Sequence, residues 1–188
     1  MKNIVILGVA RAGKTTLSRM IVNKYKNYQV INGDCVRAAF QEVFPELEIN
    51  RFHGKGMEKN FSYFCSELLK YEIKQNKKDF NYIFESCDIT PENASKYFNL
   101  DNTLIIFLGY PNLSIEEILY NYKHYADKND YMLKKTPEEM ENRANLWSQK
   151  SKEYKELCEK NNIKFIDVSY DRKLIFDKLV NELETDNN

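Results

Sequence analysis

Net charge is the first thing this sequence lacks: 28 lysines and arginines cancel 28 aspartates and glutamates. No global field therefore recruits nucleic acid or acidic lipid. Histidine is scarce, with only His53 and His124, and neither has ligand-like spacing to a cysteine, which argues against a zinc site. His124 reads as an ordinary surface residue. The four cysteines, Cys35, Cys65, Cys87 and Cys158, contain no C-x-x-C pair, a pattern that predicts reduced thiols in an intracellular protein. No apolar run approaches the length of a membrane span. The amino terminus runs straight into a strand-like segment, which predicts no signal peptide. The expectation is a cytoplasmic protein with neither a membrane nor a nucleic-acid partner. No repeat, low-complexity tract or linker rich in Gly, Pro or Ser divides the chain, so one domain over 1–188 is expected.

What is present is concentrated near the amino terminus. Gly8-Val9-Ala10-Arg11-Ala12-Gly13-Lys14-Thr15 is a complete G-x-x-x-x-G-K-[ST] phosphate-binding loop. The apolar run Ile4-Val5-Ile6-Leu7 precedes it, and Thr16 to Val22 follows with helical spacing. Strand, loop and helix are the context the motif needs. Gly8 and Gly13 let the backbone curl so that N–H groups point at phosphate oxygens, and the helix start adds its positive end. Ala10, Arg11, Ala12 and Thr16 complete the candidate nucleotide contacts. Lys14 is expected to reach the β- and γ-phosphates, and the Thr15 hydroxyl to ligate Mg²⁺. ATP and Mg²⁺ are the cofactors this implies.

Five short apolar runs read as buried parallel strands: Ile4–Leu7, Tyr28–Ile31, Tyr82–Phe84, Thr103–Leu108 and Ile163–Val168. Helical patterns between them predict repeated βαβ units. From 57 to 73, Met57, Phe61, Phe64, Cys65, Leu68, Leu69 and Ile73 share one face. After Pro137, a stripe of Met140, Ala144, Trp147, Ser151, Tyr154 and Cys158 predicts a long helix packed on the core. Thr136 is its expected cap, with Pro137 at the first position and Glu138 and Glu139 after it. A last helix is expected over about Arg172 to Leu183.

In an open α/β sheet the ligand sits beyond the carboxyl ends of the strands. After the second run come Asp34 and Arg37, three apart at a helix start. One reading has Arg37 hold an anionic group of an acceptor while Asp34 orients or deprotonates its hydroxyl. The other makes Asp34 a helix N-cap and Arg37 a solvated first-turn residue. After the third run, Glu85 is the candidate to assist Mg²⁺, with Asp88 as competitor. After the fifth comes Arg172, a further candidate nucleotide contact. The long stretch after the fourth run contains a polar connector, Asp127 to Lys135, that suits a lid. Arg143, at the edge of the apolar stripe, is the candidate to steady charge in transfer, and Lys134 and Lys135 are assigned to a solvated face. Arg51, His53 and Lys55 form a small basic loop that could enclose an acceptor or simply lie at the surface.

The pattern resembles the P-loop nucleotide and small-molecule kinases, closest in flavour to adenylate kinase. The phosphate loop carries the resemblance together with Gly33-Asp34-Cys35-Val36-Arg37-Ala38-Ala39, similar to the family's G-D-x-x-R-A-A opening of the acceptor segment. A third stretch, Pro137 to Arg143 and on through Tyr154 to Phe165-Ile166-Asp167-Val168-Ser169, is similar to the helix after the lid and the last strand. The resemblance implies an arginine on the acceptor phosphate, here Arg37. The chain departs from adenylate kinase in its loop, in having Glu85-Ser86-Cys87-Asp88 where D-G-F-P-R would stand, and in the lid, which lacks the usual arginines. Asp34 suits the alcohol-activating aspartate of the shikimate kinase type better than it suits a phosphate acceptor.

The expectation is an α/β three-layer sandwich of the P-loop kinase type, with five parallel strands ordered 2-3-1-4-5. Its acceptor-binding segment is expected at about 34–77 and its lid at about 125–143. The expected activity is transfer of the γ-phosphoryl of ATP to a small acceptor: a nucleotide, a nucleoside or a hydroxylated metabolite. A regulatory switch ATPase or GTPase and a polynucleotide end kinase are the rival readings. No D-x-x-G after the third strand supports a GTPase.

Overall fold

A computed structural model describes residues 2–49, 60–76, 80–98, 100, 102–126 and 130–185. Arg51, His53, Lys55 and Met57 lie outside the described residues, as do Asp127, Lys128 and Asn129 of the polar connector. In chain order the elements are β1 (Asn3–Gly8), α1 (Lys14–Lys24), β2 (Tyr28–Asn32), α2 (Gly33–Val43), α3 (Ser62–Gln75) and β3 (Asn81–Glu85). They continue with α4 (Pro91–Tyr97), β4 (Thr103–Gly109), α5 (Ile115–His124), α6 (Pro137–Lys160), β5 (Lys164–Asp167) and α7 (Arg172–Thr185). Short 3-10 turns lie at Pro45–Leu47 and Tyr131–Lys134.

The strands form one parallel sheet in the order β2-β3-β1-β4-β5. Helices α1 and α7 pack together on one face, while α3, α4 and α6 pack on the other. β1 lies in the middle, and Ile4, Val5, Ile6 and Leu7 are wholly buried, as a strand covered on both faces and both edges must be. β2 has a neighbour on one side only, and Val30 there is 44% exposed. The run was expected to be buried, but an edge position leaves half of it in water. β5 is the other edge and pairs with β4 over four residues, shorter than the expected run.

The long helix forms as its sequence dictates. Thr136 and Glu139 make a reciprocal capping box around Pro137, a cap worth about 1 kcal/mol. Met140, Ala144, Trp147, Ser151, Tyr154 and Cys158 are all buried, and Tyr154 meets Phe107 of β4 edge-on. Phe61, at the N-cap of α3, and Cys65 and Leu69 within it are buried, but Phe64 is 40% exposed. It turns from the sheet toward α2, where it packs edge-on against Phe40 with ring centroids 4.5 Å apart. The four cysteines form no disulfide. Burial pushes the Cys158 thiol up to about 12, with the Glu92 carboxylate adding to it, so this thiol packs as a hydrophobe. No described helix is long and apolar enough to cross a membrane.

Candidate active site

The loop between β1 and α1 is shaped by its glycines and by β4. Gly8 has φ 121° and Gly13 φ 95°, in the left-handed half of backbone space. A Cβ on Gly8 would lie 2.0 Å from the carbonyl oxygen of Leu108, so only glycine lets the two strands pass here. The Val9 N–H donates to that same carbonyl at 3.1 Å. Just past the end of β4, the buried Tyr110 donates its hydroxyl to the Ala10 carbonyl at 2.8 Å. Burial raises the Tyr110 pKa well above that of a free phenol, with Tyr122 adding to the rise, so it stays a donor. Gly13 stands at the N-cap of α1 with no side-chain cap, leaving the first-turn N–H groups directed at the loop. Lys14 is buried in the loop, where its Nζ donates to the carbonyls of Val9 (2.9 Å) and Gly8 (3.3 Å).

Behind the loop, the end of β3 delivers Glu85, only 3% exposed. Its Oε1 accepts from the Thr15 hydroxyl (3.1 Å) and from the Asn32 amide (2.9 Å). The Ser18 hydroxyl divides one proton between Glu85 Oε2 (3.1 Å) and the Lys14 carbonyl (3.0 Å). This donor set is all oxygen apart from the Asn32 amide, and hydroxyl beside carboxylate is what a hard cation such as Mg²⁺ takes. A second group, Asp34, Cys87 and Asp88, brings its possible ligand atoms within 4.8 Å of one another. Its thiol suits Mg²⁺ poorly. Ligand chemistry therefore favours Glu85 over Asp88.

Across the cleft stands the start of α2. Asn32, not Asp34, caps this helix, accepting from the Cys35 N–H at 2.9 Å. Asp34 in the first turn is thereby left to reach the loop after β3. Its Oδ1 accepts from the Cys87 N–H (3.2 Å) and the Ser86 hydroxyl (3.3 Å), and Cys87 Sγ lies 3.5 Å from both of its oxygens. One turn on, Arg37 Nε donates to Asp88 Oδ2 at 2.9 Å, with side chains 13% and 4% exposed. A second nitrogen, Nη1, donates to Gln41 at 3.1 Å. Arg37 is thus held by Asp88 and Gln41 and is not among the described residues that line the cleft.

The open space between these walls is a cleft of about 680 Å³. Ala10, Arg11, Gly13, Lys14, Thr15 and Thr16 line one side of it, Asp34 and Cys87 the other. Arg19, Asn121, Tyr125, Asp130 and Arg172 complete the lining. Gly8 and the fully buried Ala12 shape the loop from beneath it. Burial lowers the Arg172 pKa somewhat, with the Tyr110 and Tyr125 phenols opposing the shift. Arg143 is half-buried on α6 and is not among the lining residues. Lys134 is exposed and Lys135 pairs with Glu139 at 2.8 Å, as expected of a solvated face.

The connector also brings an acid, Asp130, to the phosphate loop. Asp130 pairs with Arg11 of the phosphate loop and also accepts from the Met132 N–H at 2.9 Å, capping the turn at Tyr131–Lys134. Burial pushes the Asp130 pKa up, but the bonds from Arg11 and Met132 outweigh it and the net shift is downward. Arg11, at φ 67°, also lies over the Tyr122 ring, 5.9 Å from its centroid. Sequence reasoning missed Ser18, Asn32, Tyr110, Arg19 and Asp130. A signal existed for Ser18, which sits three residues after Thr15 on the same helix face, and for Asn32, which directly precedes the helix start. None existed for Tyr110 or Asp130, because their partners lie 100 and 119 residues away.

No protein-family model matches the chain, and no curated protein matches it in sequence. Solved structures do resemble it. The shikimate kinase of Acinetobacter baumannii, in complex with shikimate, is 18% identical with a TM-score of 0.56, covering 98% of this chain and 94% of that one. The shikimate kinase of Bacteroides thetaiotaomicron is 17% identical with a TM-score of 0.59, covering 98% and 99%. A gluconokinase from Sinorhizobium meliloti 1021 is 12% identical with a TM-score of 0.57, covering 100% and 98%. At such identities the likeness is one of fold. The chain has the three-layer P-loop kinase fold, with the strand order expected from its sequence.

Proposed function

We propose that this chain is an ATP-dependent phosphotransferase that moves the γ-phosphoryl group to a hydroxyl of a small acceptor. The observation that carries the reading is the cleft itself, in which the phosphate loop with Lys14 and Thr15 faces the Asp34 carboxylate. The loop N–H groups and the start of α1 cradle the phosphates, and Lys14 turns from the Val9 carbonyl to the β- and γ-oxygens. Thr15 and Glu85 are the residues that would hold Mg²⁺, directly or through water. When bound, Mg²⁺ neutralises charge on the β- and γ-phosphates.

Asp34 accepts the proton of the acceptor hydroxyl as that oxygen bonds to the γ-phosphorus. The bond from phosphorus to the bridging oxygen breaks, and ADP leaves with the electron pair. The Cys87 N–H and the Ser86 hydroxyl on Oδ1 hold this carboxylate in position. Arg19 and Arg172, which line the cleft, take the charge-steadying and nucleotide-holding roles, the first of which the sequence suggested for Arg143. Residues 34–77 carry the acceptor and 125–143 the lid in this reading, which takes the protein to be cytoplasmic, as the cysteine pattern suggests.

The test is ADP release from ATP and Mg²⁺ across a panel of nucleoside monophosphates, nucleosides and small alcohols. Acceleration by one class, abolished in Lys14→Ala, is the expected result. Tight nucleotide binding with no acceleration by any acceptor would overturn it in favour of a regulatory switch, and acceleration only by DNA or RNA ends in favour of a polynucleotide kinase.

A further inference from the structure

Arg11 stands in the phosphate loop at φ 67°, a left-handed conformation that glycine enters freely and a residue with a Cβ enters under strain. Strain accepted in a binding loop points to a role for the side chain that brings it. The Tyr110 hydroxyl fixes the Ala10 carbonyl just before this residue. From there the Arg11 side chain passes over the Tyr122 ring of α5 and donates from Nη2 to Asp130 Oδ1. The same oxygen accepts from the Met132 N–H at 2.9 Å, so the carboxylate is oriented as well as paired. The two side chains are 28% and 11% exposed, and both residues line the cleft. A polyanion entering the cleft is therefore drawn by Arg11 and repelled by Asp130. It gains the full attraction of the guanidinium only where Asp130 gives that group up.

We propose that Asp130 competes with the nucleotide phosphates for Arg11 and thereby sets how tightly the loop holds nucleotide. The competition weakens ATP and ADP alike, and it speeds the departure of ADP after transfer. This rests on the reading in which the loop holds the triphosphate, and it adds a residue that regulates that site from 119 positions away.

The competition is read in the Kd of ATP and of ADP, each with Mg²⁺ and without acceptor, by calorimetry. Asp130→Asn keeps the shape of the side chain and an oxygen for the Met132 N–H. It is expected to bind both nucleotides about three- to tenfold more tightly than the wild type. Arg11→Gly relieves the backbone and removes the guanidinium, and it is expected to bind both about fivefold more weakly. Adding Asp130→Asn to Arg11→Gly should then restore about twofold or less, because the group competed for is gone.

Unchanged binding in Asp130→Asn overturns the proposal. Weaker binding overturns it too, and would make Asp130 a residue that positions Arg11 for the phosphates. A gain as large with Arg11→Gly as without it would reduce Asp130 to a source of repulsion and overturn the competition. Asp130→Ser and Arg11→Gln, which keep a hydrogen-bonding group at each place, stand in for a variant that does not fold. Binding without turnover of any acceptor would remove the phosphotransferase reading and leave this inference standing. If the wild type binds neither nucleotide, both fall.

Discussion

The two walls of the cleft are built in different ways. The phosphate wall is mainly backbone: a run of consecutive residues bent by Gly8 and Gly13, pinned to β4 through Leu108 and Tyr110, and continued into the uncapped start of α1. The acceptor wall is side chain against side chain. Asp34 and Arg37 from α2 meet Ser86, Cys87 and Asp88 from the loop after β3, about fifty positions away. A wall made of backbone tolerates little change, and in the proposed reading it holds the triphosphate. A wall made of paired side chains can be retuned by one substitution, which is where a common fold acquires its own acceptor.

Lys14→Ala attacks the phosphate wall where charge develops, and turnover should fall by about 10³-fold with every acceptor alike. Wild-type turnover of this variant would break the comparison outright. Asp34→Asn attacks the other wall: kcat should drop by about 10²-fold or more while the KM for ATP stays within about twofold, the split expected of a group that acts on the acceptor alone. A large loss of ATP affinity would show that the two walls are not separable.

Gly8→Ala tests the claim that the phosphate wall is set by backbone. The left-handed φ and the collision with Leu108 should together cost about 3 kcal/mol or more, read as a lower urea midpoint. Glu85→Gln keeps the volume and removes the charge beside Thr15. It should raise the Mg²⁺ needed for half-maximal rate by about tenfold, with little change in acceptor KM.

The smallest effect is expected at the pair that ties the connector to the loop. The Asp130 pKa is lowered in the folded state, so its stabilisation is complete above the ordinary carboxylate range and fades as pH falls through the lowered value. Asp130→Asn should therefore lower stability by about 1 kcal/mol near neutral pH and by less in acid. A midpoint difference that grows toward low pH would contradict the assignment.

Much of the phosphate wall was legible because its information is local. Eight consecutive residues specify the loop, and the apolar runs on either side specify strand and helix. The stripe of α6 was legible for the same reason, since cap and periodicity lie within one element. Val30 and Phe64 read as buried and are not, because burial depends on whether a neighbouring strand or helix covers that face. Asp34 was found as a candidate, but its release from capping depends on Asn32 taking that duty. Arg37 was given a phosphate to hold, whereas the folded chain supplies an internal carboxylate, Asp88, brought beside it when β2 pairs with β3.

By itself the sequence determined the phosphate loop, the alternation of strands and helices and the identity of the charged residues at the strand ends, while the strand order was implied by the resemblance to P-loop kinases. Backbone conformation and hydrophobic period act over a few residues and can be read along the chain. Only the tertiary structure decided how those charges pair: Arg37 with Asp88, Arg11 with Asp130, and Glu85 with Thr15, Ser18 and Asn32. Each of these contacts joins positions at least 51 apart, and such a contact acts over a few ångströms that exist only once the strands have come together.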